Sequence, residues 1–295
     1  MGKKVLITGA SGFLAQHIIP RFIRSKEYTI IGVDRRPHGN FLPHKFIQAD
    51  VRDLNYRDLL GVDLVVHLAW RTNIPDCTRH PEESTNENID MTVHLLEVCK
   101  EAGVKRVFFP STASLYGNNQ TPWTEDMLGM PIEHYSWQKL SCEFLCKMYA
   151  GSFGVDTVIA RFFQIFGEHQ REDTALAAFL RAKRDGRPIT LTETTAQSAF
   201  KSGQRDFIYA GDVADAVYLL TTMEEPGKGE IYNVGGGKCN TMEEIADAVG
   251  GEVKWVPRRD WEVERHEADI HKLTALGWEP TVNVLEWIHN LEKHD

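Results

Sequence analysis

The segment from Lys4 to Ala15, KVLITGASGFLA, constrains this chain more than any other. Val5, Leu6 and Ile7 make a short apolar, β-prone run, and Thr8-Gly9-Ala10-Ser11-Gly12 interrupts it. Phe13, Leu14, His17, Ile18 and Phe22 then recur at helical spacing. The pattern predicts a strand, a tight glycine turn and a helix. The first amides of such a helix have no partner within it and point outward with the positive end of the helix dipole behind them, which suits a phosphate. Gly9 permits the sharp turn, Gly12 admits a pyrophosphate to the backbone, and the small Ala15 lets the helix pack close to the strand. The spacing G-x-x-G-x-x-A is one residue longer in its first gap than the commonest dinucleotide fingerprint. Taken alone, the turn serves equally well as a plain strand-to-helix connection.

The next strand sharpens the reading. Thr29-Ile30-Ile31-Gly32-Val33 ends in Asp34, about twenty residues beyond the turn, where a carboxylate accepts hydrogen bonds from an adenosine ribose. Asp34 would repel a 2′-phosphate, so NAD is expected over NADP. Arg35 and Arg36 act against that preference, because a neighbouring arginine accommodates such a phosphate. Lys45–Ala49 reads as a third strand ending at Asp50-Val51, a pair placed either to flank an adenine or to make a turn. A short helix is expected around Leu54–Leu60. The almost unbroken apolar run Asp63–Ala69 is the kind of strand buried on both faces of a parallel sheet. Alternating strands and helices give an α/β class.

Composition narrows what such a sheet can serve. A chain of 295 residues holds one large α/β domain with a smaller lobe, or two domains. The formal charge of −9, with no continuous basic stripe, argues against a nucleic-acid surface. No apolar run approaches a membrane span, and the three apolar residues after Lys3-Lys4 are too few for a secretory signal, so a cytoplasmic protein is expected. Cys77, Cys99, Cys142, Cys146 and Cys239 are odd in number and scattered, which disfavours a disulfide framework. Cys142 and Cys146 lie one helical turn apart but lack further ligands at zinc-like spacing, so buried packing is expected and no metal.

A long helix spanning Ser84–Ala102 precedes a fifth strand, Arg106–Phe109. At that strand's carboxyl end stands Pro110-Ser111-Thr112-Ala113-Ser114-Leu115-Tyr116-Gly117. Ligands of open parallel sheets bind there, so the hydroxyls are placed for chemistry, although the segment also reads as an ordinary turn. Tyr135-Ser136-Trp137-Gln138-Lys139 follows at the head of another helix. Tyrosine and lysine at i and i+4 share a face, so the ammonium favours the ionised phenol.

In this order the motifs resemble those of the extended short-chain dehydrogenase/reductase superfamily, in its nucleotide-sugar epimerase/dehydratase branch. The resemblance rests on Thr8–Ala15, Asp34, His67-Leu68-Ala69, Asn88, Ser111–Gly117 and Tyr135-x-x-x-Lys139. It continues through Arg161–Gly167, Arg205–Tyr209, Asn233-Val234-Gly235 and Leu276-Gly277-Trp278, covering nearly the whole chain. It implies a Rossmann-type doubly wound parallel sheet, residues 1–167 plus about 205–235, with a smaller C-terminal α/β substrate-binding lobe from about 168–204 and 236–295. It also implies a homodimer through the helices at Ser84–Ala102 and Tyr135–Phe153, which packing within one chain would explain as well.

The resemblance assigns Gly9, Ser11, Gly12, Phe13, Leu14, Asp34, Arg35, Asp50, Val51, Leu68, Ala69, Tyr135, Lys139 and Phe162 to the NAD site. Tyr135 becomes the general acid/base, Thr112 its hydroxyl partner on the sugar, and Lys139 the holder of the nicotinamide ribose. The implied substrate is a nucleotide-diphosphate sugar, oxidised first at C4. The family's dehydratases follow the catalytic threonine with an acidic pair, and its decarboxylases usually place glutamate where Ser114 stands. Ala113 and Ser114 occupy these positions here, which leaves room for a ketone to turn over and regain hydride on its other face. A 4-epimerase is therefore expected. A dehydratase or decarboxylase, a keto-sugar reductase and a non-catalytic NAD(P)-binding regulator are the alternatives.

Arg205 and Arg259 match the family's phosphate-binding arginines, or else form surface salt bridges. Asn88 matches an asparagine that is structural or near the sugar, and Gln164 stands where asparagine usually faces substrate. Trp70 and Arg71 replace small or apolar residues. They either shape the sugar pocket, with Arg71 pairing with a substrate carboxylate, or pack in the core and face water respectively.

Overall fold

The computed structural model describes residues 2–40, 43–258 and 263–291, which form two compact units. The first comprises Met1–Leu115, Gly129–Arg161 and Ala214–Tyr232, and the second Tyr116–Leu128, Phe162–Val213 and Asn233–Asp295.

The apolar runs of the amino-terminal half become strands because each is buried on both faces. β1 (Lys3–Thr8), β2 (Tyr28–Asp34), β3 (Lys45–Gln48), β4 (Leu64–His67), β5 (Arg106–Thr112), β6 (Asp156–Phe162) and, late in the chain, Glu230–Val234 make a seven-stranded sheet. Its order is β3-β2-β1-β4-β5-β6 and then Glu230–Val234. β1 pairs in parallel with both β2 and β4, Thr8 facing Val33 on one side and His67 on the other. The strand order therefore reverses at β1, the position where doubly wound sheets open a crevice beyond their carboxyl ends.

Helices α1 (Ala15–Ser25), α2 (Ile74–Arg79), α3 (Pro81–Ala102) and α4 (His134–Ser152) connect these strands. α3 begins three residues before the expected Ser84, because Pro81 fits the first helical turn. Where a helix was expected at 54–60 there are two single turns, Val51–Asp53 and Tyr56–Leu59. The second is closed by a reciprocal Asn55–Asp58 capping box that uses up the local donors. β5 runs on through Pro110, which a central strand would reject for its missing N–H. β4 has ended by then: its pairing stops at Val66 opposite Phe108.

The core of this unit includes Leu6, Val33, Val65, Leu95, Phe109 and Ile159, with Cys99, Cys142 and Cys146 packed among them as small hydrophobes. Two buried arginines brace it. Arg106 pairs with Asp156 at 2.6 Å and donates to the carbonyls of Met223 and Glu225. Arg161 pairs with Glu143 at 2.7 Å, and Glu143 also accepts from Ser111 Oγ, so β6, α4 and β5 meet on one carboxylate.

The second unit holds β7 (Gln164–Phe166), α5 (Ala175–Arg184), β8 (Ile189–Thr192), β9 (Gln204–Tyr209), α6 (Ala210–Thr222, whose last turns belong to the first unit), β11 (Cys239–Thr241), α7 (Met242–Val249), β12 (Val253–Val256) and β13 (Arg265–His266), Glu230–Val234 being β10. β9 pairs in parallel with β7 and β13 and antiparallel with β11. These pairings place residues 204–213 in the second unit. Asp206 is wholly buried and accepts from the amides of Gly236, Gly237 and Ala268, fixing the glycine turn after β10. Asn233 accepts from Tyr116 Oη and donates to the Trp123 carbonyl. Trp278 Nε1 donates to the Asp212 carbonyl. Three of the motifs noted in the sequence thus hold this unit together.

Glu143 is 2% exposed, so removing its partner strands a buried charge. Arg161→Met should destabilise the protein by about 3–5 kcal/mol in denaturant unfolding. The double change with Glu143→Leu should recover most of that loss.

Candidate active site

The carboxyl ends of β1, β2, β4 and β5 carry Thr8, Asp34, His67 and Thr112, and the segments that follow them form the candidate site within the first unit. Gly9 sits at φ +64°, and a Cβ there would lie 2.7 Å from the backbone of Leu68 and Ala69. The glycine turn therefore presses directly on the segment after β4. Gly12 N donates to the Gly9 carbonyl at 2.9 Å, which shapes the turn. α1 starts at Ala15, its N-cap Leu14 supplies no side-chain acceptor, and Gln16 N and His17 N bond back to the Phe13 and Leu14 carbonyls, so no side chain covers the helix start. Such an end takes a phosphate.

Asp34 is tied to this turn. Its carboxylate accepts from Ser11 N at 3.0 Å and Arg36 N at 2.9 Å, while Ser11 Oγ donates to the Pro37 carbonyl. A carboxylate has about four acceptor sites, and with Arg36 Nε also donating to Asp34 one remains for a ribose hydroxyl. Both neighbouring arginines are engaged with acids. Arg36 Nε lies 3.4 Å from Asp34, and Arg35 pairs with Glu87 of α3 at 2.7 Å. Asp50 is bound bidentately by Arg52, which holds its pKa down to about 2, and Val51 lies in the core.

A buried polar chain runs beneath the site. Thr92 Oγ1 donates to the Asn88 carbonyl one turn back, so it accepts from His67 Nε2–H at 3.2 Å. His67 Nδ1 then accepts from Thr8 Oγ1, which itself accepts from Ala69 N. This assigns the Nε2–H tautomer. Burial, with the nearby Lys139 charge, lowers the His67 pKa to about 3, so the ring stays neutral and structural.

The tyrosine and lysine take up the expected face of α4. The helix is capped by Glu133, whose carboxylate accepts from Tyr135 N at 2.7 Å and Ser136 N at 2.9 Å, and burial raises its pKa. Tyr135 is half-buried, and Lys139 Nζ lies 5.9 Å from its ring centroid. Lys139 is 3% exposed and donates to the Pro110 carbonyl at 2.7 Å. Its ammonium stands 3.7 Å from the centre of the Trp70 ring and 4.9 Å from that of Phe109. Desolvation lowers its pKa to about 7. Thr112 Oγ1 donates to Ser114 Oγ at 3.1 Å and accepts from Ser114 N at 3.2 Å, leaving the Ser114 hydroxyl proton free to donate onward.

Two residues assigned to substrate from the sequence are engaged within the chain. Arg71 lies among Asp76 at 2.6 Å, Glu83 at 3.0 Å and Glu87 at 3.4 Å, so its charge is taken up by acids of this chain. Asn88 is wholly buried: it accepts from Arg71 N and donates to the Arg71 carbonyl and to Gln138. Gln138 in turn donates to Ser84 and Thr85. Ser84, Asn88 and Thr92 form a polar stripe at i, i+4 and i+8 on a buried helix face. That spacing is the sequence signal through which the network could have been found. Phe162, Gln164 and Arg205 lie in the second unit, Arg205 donating to the carbonyls of Gln204 and Glu264. Arg259 lies outside the described residues.

A glycine cradle, an uncapped helix start and an acidic strand end, with a tyrosine and a buried lysine beside them, define a dinucleotide-binding Rossmann protein. The model of the NAD dependent epimerase/dehydratase family matches residues 5–235, and the chain belongs to that family. It is 31% identical over 94% of its length, and 87% of the relative's, to an uncharacterized UDP-glucose epimerase, YtcB, of Bacillus subtilis. Among solved structures it resembles UDP-N-acetylglucosamine 4-epimerase from Methanobrevibacter ruminantium M1 in complex with UDP-N-acetylmuramic acid. That likeness has a TM-score of 0.88 at 27% identity and covers 98% of this chain and 96% of the other. UDP-glucuronic acid 4-epimerase from Bacillus cereus, in complex with UDP-glucuronic acid and NAD, matches at a TM-score of 0.87 and 25% identity, over 97% and 96% of the two chains. The chain is an enzyme and its cofactor is NAD.

Glu87 takes up the charge of Arg35, a cation of the kind that accommodates a 2′-phosphate. Glu87→Ala should raise affinity for NADP relative to NAD by several-fold, read as the ratio of dissociation constants in titration calorimetry.

Proposed function

We propose that this enzyme is a nucleotide-sugar 4-epimerase. The observation that carries the reading is the grouping of Tyr135, Lys139 and Thr112 in one unit, with Ala113 and Ser114 where an acidic pair would serve dehydration. The names of the three proteins described above support it, each being called an epimerase of a UDP-sugar.

NAD, when bound, accepts hydride from the sugar carbon and returns it. The residues that fit it are the Gly9–Leu14 turn and helix start, Asp34, Leu68, Ala69 and Lys139. Tyr135 Oη takes the C4 hydroxyl proton as hydride leaves and gives it back after the ketone has turned over. Lys139 in its protonated form puts positive charge near the phenol, which favours the phenolate. Thr112, through its hydroxyl pair with Ser114, holds the oxygen that becomes the carbonyl. The ketone is retained because neither Ala113 nor Ser114 removes a proton from the neighbouring carbons. Arg205 and Arg259 are assigned to the substrate's pyrophosphate, where guanidinium geometry suits phosphate oxygens. No helix among the described residues is long and apolar enough to cross a membrane.

The reading includes a cytoplasmic homodimer. Trp137, Phe144 and Met148, spaced i, i+7 and i+11 on α4, leave an exposed apolar face. Phe144→Glu should convert a dimer to monomer in light scattering.

Purified protein incubated with UDP-glucose, UDP-galactose, UDP-N-acetylglucosamine and UDP-glucuronate should interconvert C4 epimers by NMR, with no net change in nicotinamide absorbance. Tyr135→Phe should lower the rate about 10²–10⁴-fold without loss of fold. A deoxy-keto or decarboxylated product in place of the epimer would overturn the assignment.

A further inference from the structure

We infer that Trp70 is a positioning residue for Lys139: the indole face is the counter-group that keeps the buried ammonium charged and aimed at Tyr135. The inference rests on the reading of Tyr135 and Lys139 as the proton-handling pair. It starts from the surroundings of Lys139. One of its donors goes to the Pro110 carbonyl. Among the described residues no carboxylate pairs with it. Glu143, one turn along α4, is occupied by Arg161 and Ser111.

Aromatic rings stand around the ammonium. Nζ stands 3.7 Å from the Trp70 centroid, well inside cation–π range, with Phe109 and Tyr135 farther off at 4.9 and 5.9 Å. The indole is held in place from several sides. It packs edge-on to Phe109 at 5.7 Å and to His67 at 6.4 Å. The next residue, Arg71, is fastened through its amide and carbonyl to Asn88, with Cys77 Sγ on the same carbonyl. Among the described residues, buried Trp70 Nε1 has no hydrogen-bond partner, so the ring is seated for its face and not for its N–H.

The groups that face the ammonium from each packed element are His67 from β4, Cys77 from α2, and Tyr135, Cys142, Glu143 and Cys146 from α4, with Arg161 of β6 behind Glu143. Burial holds the His67 ring neutral and the cysteines protonated near neutral pH. Trp70 presents the aromatic face nearest the ammonium, so its removal weakens the charged form. With the indole gone, Lys139 loses its proton at lower pH. Tyr135 then loses its cationic neighbour at neutral pH, and its phenol ionises only at higher pH.

Isotope-edited NMR of the lysine ε-carbons in the full-length protein, with Lys139 assigned from a Lys139→Arg variant, reads the titration without substrate. Trp70→Leu should lower the Lys139 midpoint by about one pH unit, a tenfold change in ionisation constant, and Trp70→Phe by less than half of that. Mono-, di- and trifluorotryptophan preserve the ring's shape while draining its face, so they keep the test open if Trp70→Leu does not fold. The midpoint should fall stepwise with fluorine number. In an epimerase assay the acid limb of kcat should move to higher pH in Trp70→Leu, with KM for the sugar nucleotide little changed. An unmoved Lys139 midpoint across the fluorinated series would overturn the inference, whatever the substrate. A shifted midpoint in a protein that epimerises nothing would instead overturn the functional reading and leave Trp70's role on Lys139 intact.

Discussion

The first unit is built around one unfavourable act, the burial of the Lys139 ammonium. Moving a charge out of water costs several kcal/mol unless the interior replaces the lost solvation. Glu143, a carboxylate one turn along α4, is committed to Arg161 and Ser111. The fold supplies instead a carbonyl dipole from Pro110 and the faces of aromatic rings, which stabilise a cation without cancelling its charge. Pro110 is suited to this, because its carbonyl lies beyond the point where β4 stops pairing with β5.

That arrangement requires α4 to be held firmly against the loop after β4, and a polar framework does the holding. Glu133 fixes the first turn of α4 from outside the helix, and Gln138, adjacent to Lys139 in sequence, reaches Ser84, Thr85 and Asn88. Asn88 grips the backbone of Arg71, and Thr92, one turn on, grips His67, whose other nitrogen reaches Thr8 beside the glycine turn. Every member of this chain has its partners, so the network orders the interior at no cost in stranded donors. The phosphate turn, the Trp70 loop and the head of α4 are thus parts of one rigid assembly, and a change in any of them is felt by the lysine.

Local chemistry was legible in the sequence, and pairwise commitments were not. The turn Gly9–Ala15, the acid at Asp34 and the Tyr135–Lys139 spacing could be read because each depends on residues close together in the chain, where strand, turn and helix periodicity fix relative direction. Arg71 shows the opposite. Its charge next to the expected pocket suggested a substrate carboxylate, yet Asp76, Glu83 and Glu87 come to it only once α2 and α3 have folded. Asn88 stood in the resemblance as structural or near the sugar, and only its burial shows which of these contacts its amide makes. Trp70 was visible as a departure from small residues, but a face presented to an ammonium from a different helix has no signature along the chain. The placement of residues 204–213 likewise follows from β9 pairing with β7, β11 and β13, contacts of long sequence separation.

The arginines around the adenosine end follow a related logic. Arg52, Asp50, Arg35, Glu87, Arg71 and Asp76 form a chain of alternating sign from the end of β3 to α2. Arg35 and Arg52 are well exposed, and pairs of that kind contribute little to stability one by one. Their value lies in position. Each guanidinium is directed at an acid of this chain, so the rim carries cations without offering an unclaimed one to the ribose. Asp34 is itself oriented by the Ser11 amide of the glycine turn and by Arg36. Selection of the unphosphorylated ribose is in this sense a property of charges already spent on each other, with one acid held ready.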